Sequence, residues 1–375
     1  MIAVSCPANG VGDASTTREA RMNDQSIKSE VILGVDTHMD AHVGAVISEA
    51  GKLLGTLSVP ADAAGYLKLL IWANSFGYLL RAGVEGIGTY GAGLTRVLRD
   101  HEIEVSEVNR PDRTTRRHRG KSDPTDAENA ARSVLSGSAT AIPKTQSGAA
   151  EAMRAVSVAR RSAVKAKTQA INQLGALLVS APQEIRERLW KGKPAECVDG
   201  CARLRSLGST PLLQTLTTTL RLLAKRWLML AEELKALDAM LESLTSQHAR
   251  RPRERFGVRP QTAAVLVAAA GDNPERLKSE AALAALCGTS PLQASSGKTI
   301  RHRLNRGGDR SANNALWTIA MVRMRSDPRT RAYVERRTKE GMSNKEIHRC
   351  LKRYYIVREL YRLILADLAD STRVP

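Results

Sequence analysis

Leu33-Gly34-Val35-Asp36-Thr37-His38 brings a single carboxylate to the end of an otherwise apolar run, and the N-terminal third of the chain is read from it. A carboxylate is expensive to bury unless something compensates, so an acid at the tip of an apolar strand calls for a partner such as a metal ion. Working outward, Val31 to Thr37, Ala41 to Ser48 and Leu53 to Val59, the last two joined through a turn at Ala50-Gly51-Lys52, read as an antiparallel meander. Helix and strand then alternate. Ala61 to Phe76 has helical apolar spacing, Tyr78 to Val84 is a short strand, Gly93 to Asp100 is helical and Glu104 to Val108 is a further strand. A mixed sheet with flanking helices, an α/β domain, follows from this order.

The second strand-end acid is Glu85, in Arg81-Ala82-Gly83-Val84-Glu85-Gly86, where the glycines permit close approach of backbone or substrate. Asp123-Pro124-Thr125-Asp126 supplies two more acids and also reads as a helix start, with Asp123 as N-cap and proline at the first helical position. Ala127, Ala130 and Ala131 make that helix slim enough to lie close to a sheet. Each acid taken alone equally suits a solvated strand end or a helix cap. Together, Asp36, Glu85, Asp123 and Asp126 offer convergent oxygens of the kind that bind two Mg²⁺ ions for work on a phosphodiester.

From Gln146 the chain is nearly all helical. Ala149 to Ser180 and Pro211 to His248 are long helical runs, and the second carries Leu216, Leu220, Leu223, Trp227, Leu230, Leu234, Leu237, Leu241 and Leu244 on one stripe. Spacings of three and four sustained this far predict a coiled-coil-like hairpin that acts as a spacer or an oligomer contact. Near Phe256 a third zone begins: two Ala-rich helices, a Ser/Gly loop and a helical run rich in Arg and Tyr. The organisation expected is a disordered polar arm over residues 1–29, an α/β domain over 30–145, a helical linker or oligomerisation region over 146–250 and a mainly α domain over 251–375.

The 375 residues include 57 Lys and Arg against 38 Asp and Glu, a formal net charge of +19 that points to a polyanionic partner. Arg110, Arg113, Arg116, Arg117, Arg119 and Lys121 crowd into one short loop whose density suits phosphate contact, a solvated loop being the alternative. The five cysteines are odd in number and scattered, which argues for small buried hydrophobes rather than a disulfide framework. The first 28 residues contain no apolar leader segment and no run reaches membrane-span length, so a cytoplasmic location without membrane contact is expected.

Gly34-Val35-Asp36-Thr37-His38, Gly83-Val84-Glu85 and Lys121-Ser122-Asp123-Pro124-Thr125-Asp126-Ala127, in that order, resemble the DEDD motif in the RuvC-like domain of the Piv-type invertases and bridge-RNA-guided insertion-sequence transposases. Gly288-Thr289-Ser290-Pro291, Ala294-Ser295-Ser296-Gly297-Lys298 and Arg306-Gly307-Gly308-Asp309-Arg310 resemble the C-terminal transposase domain of the same family. One departure stands out: where the family often opens that domain with Pro-Gly-Ile-Gly, this chain has Phe256-Gly257-Val258-Arg259.

The resemblance implies an RNase H-like (RuvC-like) N-terminal domain that binds Mg²⁺ through Asp36, Glu85, Asp123 and Asp126. It implies a DNA transposase or recombinase in which Ser296, next to Gly297, attacks a phosphodiester and forms a covalent phosphoserine link, with Ser295 the adjacent alternative. Lys298, Arg301, Arg303 and Arg306 are then expected to neutralise charge or hold the nucleic-acid backbone. The partners implied are DNA at element ends and target, a structured guide RNA, and further copies of the chain in a dimer or tetramer. A RuvC-like nuclease acting through metal-activated water, and a non-catalytic nucleic-acid-binding scaffold, are the competing readings.

The charge reading makes a first prediction. Neutralising Arg113, Arg116 and Arg117 should lower the slope of log K against log salt for duplex DNA by roughly two to three units if each contacts a phosphate. An unchanged slope in a salt titration places the phosphate contacts elsewhere.

Overall fold

The structure, a computed structural model, describes residues 29–108, 122–298 and 302–371. The N-terminal arm, the basic-loop residues Arg110, Arg113, Arg116, Arg117, Arg119 and Lys121, and Arg301 lie outside the described residues. The chain divides into two compact units, one ending at Pro143 and the other beginning at Lys144.

The first unit is built on a five-stranded sheet. The strands are β1 (Glu30–Thr37), β2 (Ala41–Ser48), β3 (Leu53–Pro60), β4 (Tyr78–Glu85) and β5 (Glu104–Val108), in the order β3-β2-β1-β4-β5. The β1–β2 and β2–β3 pairs are antiparallel, whereas β1–β4 and β4–β5 are parallel. The helices are α1 (Ala63–Asn74), α2 (Ala92–Asp100) and α3 (Asp123–Leu135). This is the mixed α/β sheet that the alternation of elements leads one to expect.

Period-two alternation sorts the central strand between two cores. Val31, Leu33 and Val35 face a large cluster with Leu69 of α1 and Leu94 and Leu98 of α2. Ile32 faces the opposite side with Ile47, Ala131 and Val134, beneath α3. Gly34 lies on that same side. A Cβ there would sit 2.0 Å from the Ala127 carbonyl oxygen and 2.3 Å from the Ala131 amide nitrogen, so α3 rests directly on the β1 backbone. Gly83, paired with Gly34 across the strands, repeats this under Ala130, whose carbonyl oxygen would be 2.7 Å from a Cβ.

The start of α3 differs by one residue from its sequence reading. Ser122 is the N-cap, with extended backbone, and its carbonyl accepts from Asp126 N at 3.0 Å. Asp123 is therefore the first helical residue, which frees its carboxylate from capping duty.

In the second unit, α4 (Ala149–Ser180) and α7 (Pro211–His248) form an antiparallel hairpin, with α5 (Gln183–Leu189) and α6 (Pro194–Ala202) between them. At its tip, Leu174 and Leu178 pack on Leu216, Leu220 and Ala224, together with Cys197 and Cys201. Both cysteines are free and buried, and burial pushes the Cys201 thiol up to about 11. Of the leucine stripe, Leu216, Leu220, Leu230 and Leu241 are buried within the chain's own unit, and Leu223, Trp227, Leu234, Leu237 and Leu244 are partly exposed.

The root of the hairpin belongs to another core. Met153, Val156 and Leu241 pack with α9 (Pro260–Ala270), α10 (Glu280–Leu286), α11 (Arg310–Ser326), α13 (Asn344–Cys350) and α14 (Val357–Ser371). Arg250–Arg253 forms the short α8, Pro328–Lys339 forms α12, and β6 (Leu292–Gln293) pairs antiparallel with β7 (His302–Arg303). Asp272 reaches back across the sequence to accept from the amides of Gly148 (3.2 Å) and Ala150 (2.7 Å), capping α4 at its start. No helix among the described residues is long and apolar enough to cross a membrane.

The packing of α3 is testable. Gly34→Ala should destabilise the protein by about 3 kcal/mol in urea unfolding, because the new methyl group meets backbone rather than a side chain that can rotate away. Gly88→Ala, which has open space around its Cβ position, should stay within about 0.5 kcal/mol of the parent.

Candidate metal centre and serine loop

The close seat of α3 decides where the acids meet. Asp36 follows Gly34 on the α3 face of β1, and Glu85 follows Gly83 on the same face of β4. Thr37 Oγ1 donates to the Glu85 carbonyl oxygen at 2.8 Å, tying the two strand ends together. The first turn of α3 then brings Asp123 and Asp126 over these ends. Asp36 and Asp126 are buried, whereas the Asp123 side chain is half exposed.

His38 stands between two of the acids, with its Nε2 3.3 Å from Asp36 Oδ2 and 3.5 Å from Asp123 Oδ1. Among the described residues, Asp36, His38 and Asp123 form a group whose ligand atoms lie within 4.8 Å of one another. Asp126 adds its charge to Asp36 without joining that group. Glu85 lies at the end of the neighbouring strand, half-buried, and is also outside the group. Burial above all raises the Asp36 carboxyl above the ordinary carboxylate range; His38 pulls it down, and Asp126 and Asp123 push it up again.

A buried carboxylate strained by desolvation and by like charges is suited to a hard divalent cation, and the oxygen-rich donor set fits one. The sequence reading assigns His38 no role. Its signal was present all the same, since the residue two beyond Asp36 projects to the same side when the chain stays extended.

In the second unit, Ser295 and Ser296 lie in the loop joining β6 and β7. Ser296 is exposed, and Gly297 beside it has φ +55°, a left-handed conformation that glycine adopts without strain. Lys298, Arg303 and Arg306 are exposed around the same hairpin. The two glycine motifs flanking it have a structural role. A Cβ on Gly308 would come within 2.1 Å of the Gly288 amide nitrogen, so the two loops cross in direct backbone contact. Asp309 caps α11 by accepting from Ser311 N (2.7 Å) and Ala312 N (3.0 Å).

The charge state of Asp36 has a stability consequence. With its folded pKa raised, the proton is bound more tightly in the folded state, so Asp36 favours folding below the ordinary carboxylate range. That contribution is lost as pH rises through the raised value. In chelator at neutral pH, Asp36→Asn should melt roughly 2–4 °C above the parent, the shift that about 1 kcal/mol produces in a domain of moderate size. Millimolar Mn²⁺ or Mg²⁺ should raise the melting temperature of the parent and leave that of the variant unchanged. A variant that responds to metal as the parent does removes Asp36 from the site.

Two family models match the chain. A transposase model, the DEDD transposase of IS110 type, covers residues 33–181, and the model described as "Transposase IS116/IS110/IS902 family" covers residues 253–335. The first takes in all four acids; the second takes in the β6–β7 loop with Ser295 and Ser296. The chain is also similar to the "Insertion element IS110 uncharacterized 43.6 kDa protein" of Streptomyces coelicolor (strain ATCC BAA-471 / A3(2) / M145), 31% identical over 144 residues. That alignment covers 38% of this chain and 34% of the relative, so the match spans about a third of the relative's length. With a DEDD transposase domain followed by an IS116/IS110/IS902 domain, the chain belongs to the IS110 family of transposases.

Proposed function

We propose that this protein is a DNA transposase that breaks and rejoins strands through a covalent seryl phosphodiester, with divalent metal held by Asp36, Asp123, Asp126 and Glu85 in an RNase H-like domain. The observation that carries the reading is the cluster of Asp36, His38 and Asp123 at the end of β1 and the start of α3, with Asp36 buried in it and Ser122 rather than Asp123 at the N-cap of α3. Mg²⁺, when bound, polarises the scissile phosphate and stabilises developing negative charge.

The residues of the chain do the remainder. Asp36 and Asp123 would hold the cation, with His38 beside them as a further donor. Ser296 Oγ forms a bond to phosphorus while the bond from phosphorus to a deoxyribose oxygen breaks. The serine proton leaves to solvent and the departing sugar oxygen takes one up. Rejoining is the reverse attack by a sugar hydroxyl, so no bond energy is spent. Lys298, Arg303 and Arg306 steady the phosphate backbone against the loop. Acids and serine come from separate units of the chain, an arrangement that suits a site shared between copies in a dimer or tetramer. The excess positive charge suits a structured guide RNA as well as DNA.

A suicide substrate tests the serine. The parent should leave a protein–DNA adduct that survives denaturation; Ser296→Ala should abolish it, and Ser295→Ala should leave at least about half, since it deletes only a neighbouring hydroxyl. Loss with Ser295→Ala alone moves the nucleophile by one residue. Strand breakage without any adduct makes the protein a hydrolytic nuclease instead.

A further inference from the structure

The C-terminal unit contains an open pocket of about 1120 Å³, and of its lining the strand-exchange reading uses only Arg303 and Arg306. That exceeds the roughly 300–1,000 Å³ of typical small-molecule sites. Seven Lys or Arg residues line it against one carboxylate, Glu346. Glu346 is already engaged, accepting from the Ser343 amide at 3.0 Å and its hydroxyl at 2.7 Å in a capping box. Arg303, Arg306 and Arg310 have no carboxylate within ion-pair distance among the described residues.

The same pocket gathers exposed aromatic and apolar surface. Trp317 on α11 is 47% exposed and Tyr354 is 56% exposed, in a chain with only 3% aromatic residues. Tyr354 lies in a π-helical turn, Leu351–Ile356, inserted between α13 and α14. Such turns are rare and concentrate at functional sites. Beside Trp317, with ring centroids 5.9 Å apart, is His348, whose Nε2 is buried without a hydrogen-bond partner. A buried nitrogen without a side-chain partner in a pocket wall is open to a water or a ligand. Lys352 Nζ donates to Asn313 Oδ1 at 2.8 Å, and Asn313 Nδ2 donates to the carbonyl oxygens of Cys287 (2.8 Å) and Gly288 (3.1 Å). This relay fixes the Gly288 loop to the pocket wall, so the cations and the indole are held in one frame.

We propose that this pocket binds an unstacked, single-stranded nucleic-acid segment. One base stacks on Trp317 with its edge towards His348, and Arg303, Arg306 and Arg310 bind the flanking phosphates. Polycations alone would suit any duplex backbone. A solvent-facing indole beside an orphan polar nitrogen suits a base that has left the stack. The inference rests on the protein acting on nucleic acid, but it needs neither the metal centre nor the serine.

The test is fluorescence anisotropy of the full chain in chelator, which excludes metal-dependent strand breakage, with oligo(dT), oligo(rU) and blunt duplex DNA as probes. Trp317→Ala should weaken binding of one or both single strands about tenfold and of duplex by less than about twofold, with Trp317→Phe recovering most of the loss. Loss confined to oligo(dT) identifies a DNA strand as the ligand, and loss confined to oligo(rU) identifies RNA. Trp317 is surface-exposed, and a thermal melt confirms that the variant folds. Unchanged affinity for both single strands, or an equal loss for duplex, overturns the proposal. Single-strand binding that depends on Trp317 in a protein forming no seryl adduct would sink the strand-exchange reading and leave the pocket standing.

Discussion

The contact on which the first unit depends is the backbone of α3 lying directly on two adjacent strands. Gly34 and Gly83 sit side by side in β1 and β4, and the Ala127, Ala130 and Ala131 face of the helix descends onto them. Helix and sheet ordinarily keep a layer of side chains between them. Removing that layer costs apolar burial at two positions, which the clusters of Ile32, Ile47 and Val134 beyond the glycines offset. What the close approach provides is position, since the first turn of α3 is brought down to the ends of the strands and two acids come with it.

Electrostatics then works against the fold at that point. Asp36 is buried, raised by desolvation and pressed by the charges of Asp126 and Asp123, with His38 as the compensating group nearest to it. Natural cores rarely keep such a cluster for stability, because neutral residues of the same size pack there without the penalty. An arrangement that is unfavourable without a cation and relieved by one is what a metal-binding site looks like from the side of the protein. The cluster is a small negative island in a chain of net charge +19.

The second unit uses the same device for another purpose. Gly288 and Gly308 let two loops cross at backbone contact, and Asn313 and Lys352 lock the crossing to α11 and the π turn. The serine-bearing hairpin springs from these loops, and the basic pocket opens beside them. The long α4–α7 hairpin is rooted in this core, and Leu216 and Leu220 near its tip pack in a core of their own.

The sequence by itself determined the elements and the identity of the acids. Period-two apolar runs in β1 to β3, the helical spacing of α4 and α7, and the glycine and alanine positions around Asp36, Glu85 and Asp123 are local signals, written in residues a few places apart. Local signals could not say that Ser122 takes the cap and releases Asp123, since neighbouring residues of similar capping propensity compete and the geometry of the turn chooses between them. Nor could they place His38 between Asp36 and Asp123. The pocket was invisible for a stronger reason: Arg303, Trp317, His348 and Tyr354 are spread over some fifty residues and share no period. Only the packing of α11 against the π turn and the crossing of the glycine loops makes them neighbours, because contacts between distant segments are decided by how whole elements fill a common core.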